Sequence, residues 1–267
     1  MKKLFLAPLF IMLLFSCAKE QNELPLNGTV RINISHYGEY KSTHKTLDPN
    51  TNEIIIDTST SLKPLVFDTL IYDKTLGEKF SLYKLEYYLS NITFWRNDKA
   101  YYTADTIVYV NARNINTSII LPYVPTGSYD KVTYLIGVGS NRNIHGYLPA
   151  TNDNVNMEWP SSMGGGYHFM KMEGYWKNNT THKIQSGFAM HIGSNGYAAY
   201  GEYRPMNFKV NSGNVNVVNF RMNVNEWWRS PNLYSLDING NNYTMGDTAK
   251  MRQIKENGMN AFDIYQK

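Results

Sequence analysis

The six histidines are the residues of this chain best able to do chemistry, because a single cysteine accompanies them. One cysteine excludes disulfide frameworks, cysteine-based zinc sites, CxxC redox pairs and cysteine-ligated blue copper. A metal site would therefore use imidazole, thioether, carboxylate or backbone ligands, and imidazole is the commonest protein ligand for late transition metals. The candidates are His36, His44, His145, His168, His182 and His191.

Three of these histidines lie in apolar surroundings. His36 continues the apolar positions of an alternating segment, where a buried imidazole needs a hydrogen-bond partner. His191 lies within the apolar segment 188–193, on the parity opposite to its apolar neighbours. His168 has the parity of the two methionines that follow it, a soft combination that suits Cu(I), although packing in a core explains those methionines more simply.

Common catalytic motifs do not occur in the sequence. GxSxG, HExxH, the P-loop pattern GxxxxGKS/T and a GxGxxG after a strand are all absent. Two segments rich in Asp and Asn, 48–52 and 237–241, imitate calcium loops but lack the Gly and the bidentate Glu that an EF-hand requires. We expect these segments to be turns, and we expect a binding protein rather than an enzyme.

The elements that would position the histidines are strands. Aromatic residues make up 14% of the 267 residues and charged residues 18%, which favours one β-rich domain over a coiled coil. Alternation over residues 30–35 predicts a half-buried strand, and residues 36–63 are polar and rich in turn formers. Further strands are predicted over 65–72, 80–95, 106–112, 129–138, 167–173, 187–192, 203–210 and 215–224.

These strands, roughly nine in number, predict an all-β fold, an antiparallel β-sandwich. No long helix separates them, so a βαβ architecture is not expected. Near the C-terminus, Asp247 is positioned to cap a short helix that ends at Gly258. This helical segment is predicted to cover one end of the sandwich.

The first seventeen residues resemble a secretion signal. Lys2 and Lys3 precede an apolar run, 4–15, that is too short to span a membrane and ends in Leu-Phe-Ser-Cys. This ending resembles the bacterial lipobox, which implies acylation of Cys17; an ordinary signal peptide with a chance cysteine is the alternative. The predicted organisation is a signal peptide over 1–16, a tether over 17–27 and one domain over 28–267.

The expected location is therefore the cell envelope, with the lipid holding the protein on the outer membrane or on a periplasmic face. Loss of the signal peptide leaves a nearly neutral protein, because it removes two lysines from a chain whose formal charge is +4. No basic patch interleaved with aromatic residues is visible, so no nucleic-acid partner is expected.

A set of short motifs in a fixed order resembles the MbnP-like domain family. The motifs occupy residues 80–91, 121–122, 124–129, 136–138 with Asn141, 146–149, 157–159, 166–174 and 191–193. Each motif is weak alone, but their order and spacing are specific. The resemblance extends over roughly residues 28 to 265, including the Asn-rich closing strand and the terminal helix.

The resemblance implies an exported all-β protein related to copper-binding proteins of methanobactin-type copper acquisition. In that family a copper ion is held by histidine and by a tryptophan oxidised to kynurenine, and a di-haem partner of the cytochrome c peroxidase type carries out the oxidation. Carried over to this chain, the resemblance implies His191 as a ligand and Trp159 as the oxidised aromatic. His36 is added as a second ligand from its strand position.

Two functions follow from these observations. The first is an anchored lipoprotein that holds copper through His191 and His36, with Trp159 either oxidised or simply packed in the core. The second is a non-catalytic interaction or carbohydrate-binding sandwich. The adjacent Trp227 and Trp228 would suit stacking on sugar rings, although a position at the edge of the core explains one of them equally well.

Overall fold

The computed structural model describes residues 26–51, 53–74, 76–178, 181 and 183–266. The predicted signal peptide, Cys17, most of the tether and His182 lie outside these residues. Within the described ranges, no helix combines the length and the apolar character that crossing a membrane requires.

Strands dominate the described residues. They are β1 (Asn27–Leu47), β2 (Ile54–Pro64), β3 (Tyr72–Asp73), β4 (Lys79–Arg96), β5 (Lys99–Thr103), β6 (Ile107–Asn111), β7 (Ser118–Pro125), β8 (Gly127–Tyr129), β9 (Lys131–Ile136), β10 (His168–Lys177), β11 (Ile184–Gly193), β12 (Ala199–Tyr203), β13 (Phe208–Val210), β14 (Val215–Asn223) and β15 (Phe262–Gln266). Two helices, α1 (Asn152–Asn156) and α2 (Thr248–Gly258), and two 3₁₀ turns, Ser161–Met163 and Val224–Trp228, complete the described elements.

The strands form two main sheets. In the first, the order is β15-β14-β1-β2, with β7 also paired to β1; in the second, it is β11-β10-β4-β9-β12, with β3, β5 and β6 also paired to β4. Strands β8 and β13 form a separate pair. All pairs between these strands are antiparallel except β1 with β14. The all-β, sandwich-like fold predicted from the sequence is confirmed, but the described residues form fifteen strands rather than roughly nine, because several are short pieces of two to five residues.

The core consists of apolar side chains from the alternating positions of the strands. On β1, Val30, Ile32 and Ile34 are buried, as the period of two predicts. Trp227 and Trp228 are 0% and 1% exposed, and the ring of Trp228 packs edge-on against Phe80 and Phe188. The two tryptophans are therefore core residues, and the prediction that they stack on sugar rings is wrong.

The C-terminal helix agrees with the sequence prediction. The Asp247 carboxylate accepts hydrogen bonds from the backbone N–H groups of Ala249 and Lys250, both at 3.1 Å, and so caps α2. Met251 and Ile254 are the apolar residues of α2 that are buried against the rest of the protein. At its end, Gly258 lies so close to Trp227 that an added Cβ would come within 2.3 Å of the indole ring.

Two sequence predictions fail in the N-terminal part. Residues 36–63 are not a turn-rich segment, because β1 continues to Leu47 and β2 returns beside it as a hairpin. The outer part of this hairpin is exposed on both faces, so it lacks the apolar alternation that reveals a half-buried strand. The predicted strand over 65–72 is mostly a loop. Leu65, Phe67 and Ile71 of this loop pack against the core without pairing as a strand.

Candidate metal site

His191 projects from β11 on the face opposite to the core. Its neighbours Met190 and Ile192 are fully buried, whereas the His191 side chain is 13% exposed. The hydroxyl of Thr244 holds the backbone on both sides, because Oγ1 accepts from His191 N–H and donates to the His191 carbonyl, each over 2.7 Å. The backbone that carries the imidazole is therefore held in place by two hydrogen bonds to one hydroxyl group.

The two ring nitrogens of His191 have different environments. Nε2 lies 2.9 Å from Oε1 of Glu173, and because a carboxylate can only accept, Nε2 carries the proton. Nδ1 is buried and has no hydrogen-bond partner among the described residues. In the neutral ring this tautomer places the lone pair on Nδ1. A buried lone pair without a partner is costly, which makes Nδ1 the natural ligand atom.

The Glu173 carboxylate interacts with residues of two neighbouring strands. It stands on β10 opposite Ala189, on the outer face that it shares with His191. The ammonium of Lys84 lies 3.3 Å from the same carboxylate oxygen, Oε1. Burial alone would raise the pKa of the Glu173 carboxyl, but the hydrogen bond and charge interaction with His191, together with Lys84, lower the pKa to about 2. Glu173 is thus ionised at neutral pH and accepts from His191.

A β-bulge brings His168 to the same face. Its pairing partner on β11 is Gly193, whereas Met170, two residues later, pairs with Ile192. Directly opposed residues of two strands share a face, so the single-residue shift turns His168 away from Met170 and toward His191. The expectation that His168 shares a face with the following methionines is therefore wrong.

The two imidazoles are in direct contact. The ring centroids of His168 and His191 lie 5.1 Å apart with the planes at 88°. Nδ1 of His168 lies 3.3 Å from the Met157 carbonyl, which can only accept, so Nδ1 carries the proton and Nε2 the lone pair. Burial, assisted by the positive charge of Lys171, lowers the pKa of His168 to about 3, and the ring is neutral at pH 7.

Trp159 packs against His168, one member of the histidine pair. Its ring centroid is 4.7 Å from that of His168, and the side chain is 2% exposed. The indole N–H donates to the Met163 carbonyl over 3.1 Å. Gly193 is required on the neighbouring strand, because a Cβ added there would lie 2.2 Å from Cε3 of Trp159. The Trp-His-His arrangement therefore depends on a glycine that the sequence motif places two residues after His191.

The other histidines occupy different places. His36 is buried on the core side of β1, as its parity predicts, and shares a 2.9 Å hydrogen bond between Nε2 and the hydroxyl of Tyr87. The structure thus supplies the partner that a buried His36 requires and brings His168, rather than His36, beside His191. His44 lies on the exposed hairpin, and the largely exposed His145 approaches Glu158, with 3.6 Å between Nδ1 and Oε1.

The donor set of this site fits a soft, low-coordinate metal ion. In the described part of the chain, no three His, Cys, Asp or Glu side chains form a group that could hold a metal. The site offers two imidazoles in contact and an aromatic ring beside one of them, in the absence of thiolate. Such nitrogen donors suit copper better than calcium or magnesium, which require oxygen ligands.

The comparison with known proteins identifies the family. The sequence profile of a family described as MbnP matches residues 49–248. The chain belongs to the MbnP family. The matched range contains Trp159, His168, Glu173 and His191 and excludes His36.

One solved structure, MbnP from Methylosinus trichosporium, is similar to this chain of the MbnP family. The two share 11% sequence identity over 72% of this chain and 75% of that chain, with a TM-score of 0.42. No curated protein matches the chain.

The contacts that two residues, His168 and Glu173, make with His191 do not follow from the sequence. His168 is hidden by the bulge, because strict alternation places it with Met170 on the core side. For Glu173 the sequence offers only its strand parity, which it shares with Lys171. In the structure Lys171 pairs with His191. Only the pairing of β10 with β11 shows that this carboxylate meets the His191 ring.

Proposed function

We propose that this protein is an exported copper-binding protein that holds one copper ion through Nδ1 of His191 and Nε2 of His168. The observation that carries the proposal is the buried Nδ1 of His191, which has no partner in the described ranges and belongs to a ring in contact with a second imidazole. When bound, the copper is a cargo that the site retains, so the proposal requires binding and no turnover.

The residues around the two proposed ligands orient the imidazole rings. Glu173 orients the His191 ring and fixes the proton on Nε2, and the Met157 carbonyl does the same for Nδ1 of His168. Trp159 shields His168 from water. The chain's own side chains thereby hold two imidazole rings in contact, with one nitrogen of each engaged by a neighbouring oxygen.

We include three further parts in the proposal, each supported by the sequence. Cys17 is the acylated residue that holds the mature protein on a membrane of the cell envelope. Trp159 is the aromatic that is oxidised toward kynurenine, and the oxidising partner is a di-haem protein of the cytochrome c peroxidase type. Membership of the MbnP family and the ring contact between Trp159 and His168 support this assignment of the aromatic.

Metal retention by matched variants tests the ligand assignment. The protein is loaded anaerobically with Cu(I), dialysed against a weak chelator and analysed for copper per chain. We expect retention by the wild type and by His36→Gln, and loss in His191→Gln and His168→Gln. Circular dichroism verifies that each variant is folded, and the exposed His145→Gln serves as the surface control.

Three results contradict this assignment. If the wild type retains no stoichiometric copper, or if His191→Gln retains it undiminished, the proposed site is incorrect. If His36→Gln loses the metal while His168→Gln keeps it, His36 replaces His168 as the second ligand.

A further inference from the structure

The hairpin formed by β1 and β2 extends beyond the sandwich. Strand β14 accompanies β1 only as far as Tyr37, whereas β2 pairs with β1 from Tyr37 to Leu47. Residues 38–41 still contact the main body through Tyr72, Arg229 and Asp73, so the six residues from Ser42 to Leu47 extend the ribbon by about 20 Å at about 3.4 Å per residue. Among the described residues, β1 is the only strand that pairs with β2, so the outer edge of β2 presents unpaired backbone groups.

Apolar side chains accompany this free edge. Ile54, Ile55 and Ile56 are 64%, 51% and 61% exposed, and Leu62 further along β2 is also exposed. Residues two apart share a face of a strand, so Ile54, Ile56 and Leu62 lie on one side of the ribbon. Proteins usually protect a free edge with charges, bulges or prolines along its length, because such an edge is a template for another strand. The middle of β2 has only Ser and Thr residues.

The sequence of β2 is complementary to itself when it is read in the opposite direction. About a twofold axis at Thr60, Asp57 is opposed by Lys63 of a second copy, and Lys63 by Asp57. The same register opposes Ser59 to Ser61 and the apolar Ile56 to Pro64. Moving the axis by one residue, to Ser59 or Ser61, leaves both charged residues opposite uncharged ones. Opposite charges in directly opposed positions stabilise antiparallel strands.

We propose that β2 is a dimerisation strand, which pairs antiparallel with β2 of a second copy of this chain about a twofold axis at Thr60. The two hairpins then form a continuous four-stranded ribbon with the order β1-β2-β2-β1. Asp57 and Lys63 are both exposed, and neither has an ion pair among the described residues. The Lys63 ammonium lies 4.1 Å from the centre of the Tyr40 ring, a contact that it can exchange for Asp57 of the second copy. An isologous contact of this kind closes on itself and does not propagate into a filament.

Charge reversal provides a test specific to this register. The association state of the mature chain, with Cys17 replaced by serine, is measured by sedimentation equilibrium. We expect a dimer for the wild type, and a dissociation constant raised about tenfold or more by Asp57→Lys or by Lys63→Asp alone. The double variant restores the opposite charges and recovers the dimer. An equimolar mixture of the two single variants forms heterodimers, because each supplies the charge that the other lacks.

Disulfide trapping tests the axis independently. In the same Cys17→Ser background, Thr60→Cys is expected to form a cross-linked dimer under mild oxidation, because the two copies of residue 60 are directly opposed. A wild type that remains monomeric up to its solubility limit overturns the proposal. A double charge variant no tighter than the single ones, or preferential cross-linking of Ser59→Cys over Thr60→Cys, also overturns it.

Discussion

Nε2 of His191 donates a hydrogen bond to Oε1 of Glu173 over 2.9 Å, and Nδ1 of the same ring has no partner within the described residues. A single contact therefore determines which nitrogen of the imidazole is free. Because Glu173 is also held by Lys84 on the neighbouring strand, the orientation of the ring is determined by the pairing of three strands, β4, β10 and β11.

Loss of the Glu173 carboxylate should weaken copper binding without removing a ligand. In Glu173→Ala the proton of His191 is no longer fixed on Nε2, and we expect the affinity for Cu(I) to fall about 10-fold to 100-fold. Glu173→Gln retains an acceptor oxygen and should lose less. Competition with a chromophoric Cu(I) chelator measures the affinity, and ¹⁵N shifts of the metal-free ring report the tautomer. Equal affinities for the wild type and the alanine variant would show that Glu173 does not position His191.

Gly193→Ala should reduce both stability and copper affinity. The new Cβ would lie 2.2 Å from Trp159 and force the indole toward His168, at a cost of about 2 kcal/mol in the free energy of unfolding. Urea denaturation measures this loss. Gly187→Ala on the same strand is the control, because its nearest atom is 3.2 Å away and the cost should be smaller. An equal effect at both positions would contradict the packing argument.

His36 should make stability fall as the pH is lowered below neutrality. Burial lowers its pKa from 6.5 to about 4, so below pH 6.5 the unfolded chain binds a proton that the folded protein does not. Stability is complete above pH 6.5 and decreases toward pH 4 by at most about 1.4 kcal/mol per pH unit for this one group.

A comparison with His36→Gln isolates that contribution. His168 also has a lowered pKa and titrates similarly in both proteins, so the difference between their stability curves belongs to His36. Urea denaturation from pH 7 to pH 5 should give a steeper decline for the wild type. Parallel curves would show that His36 is not buried in its neutral form.

Trp159 should be the one tryptophan that is modified in protein from its native membrane. It is in ring contact with His168, and conversion to kynurenine leaves a net gain of one oxygen and loss of one carbon. Peptide mass spectrometry measures this change, and Trp95, Trp176, Trp227 and Trp228 in the same digest are internal controls. An unmodified Trp159 in copper-containing native protein would contradict the oxidation.

The sequence and the structure differ where pairing, rather than composition, decides the outcome. Alternation was sufficient for Val30, Ile32 and Ile34, and the capping residue Asp247 locates α2, because both depend on neighbours in the chain. The face of His168 depends on a bulge against Gly193, which local sequence does not encode. Alternation does not predict the hairpin of β1 and β2, because neither face of its outer part is buried.

The candidate site shows the same division. Trp159 and His191 follow from the family motifs, and the structure places both beside His168. The contact of Glu173 with His191 depends on the register of β10 against β11. The hydrogen bond of His36 with Tyr87, which keeps His36 away from His191, depends on the packing of the two sheets.

The most direct measurement is an anomalous difference map, recorded at the copper absorption edge from crystals of the Cu(I)-loaded protein. The account predicts one peak per chain, in contact with Nδ1 of His191 and Nε2 of His168. A peak at His36, or an ordered His168–His191 pair without anomalous density in a crystal that contains stoichiometric copper, would contradict it.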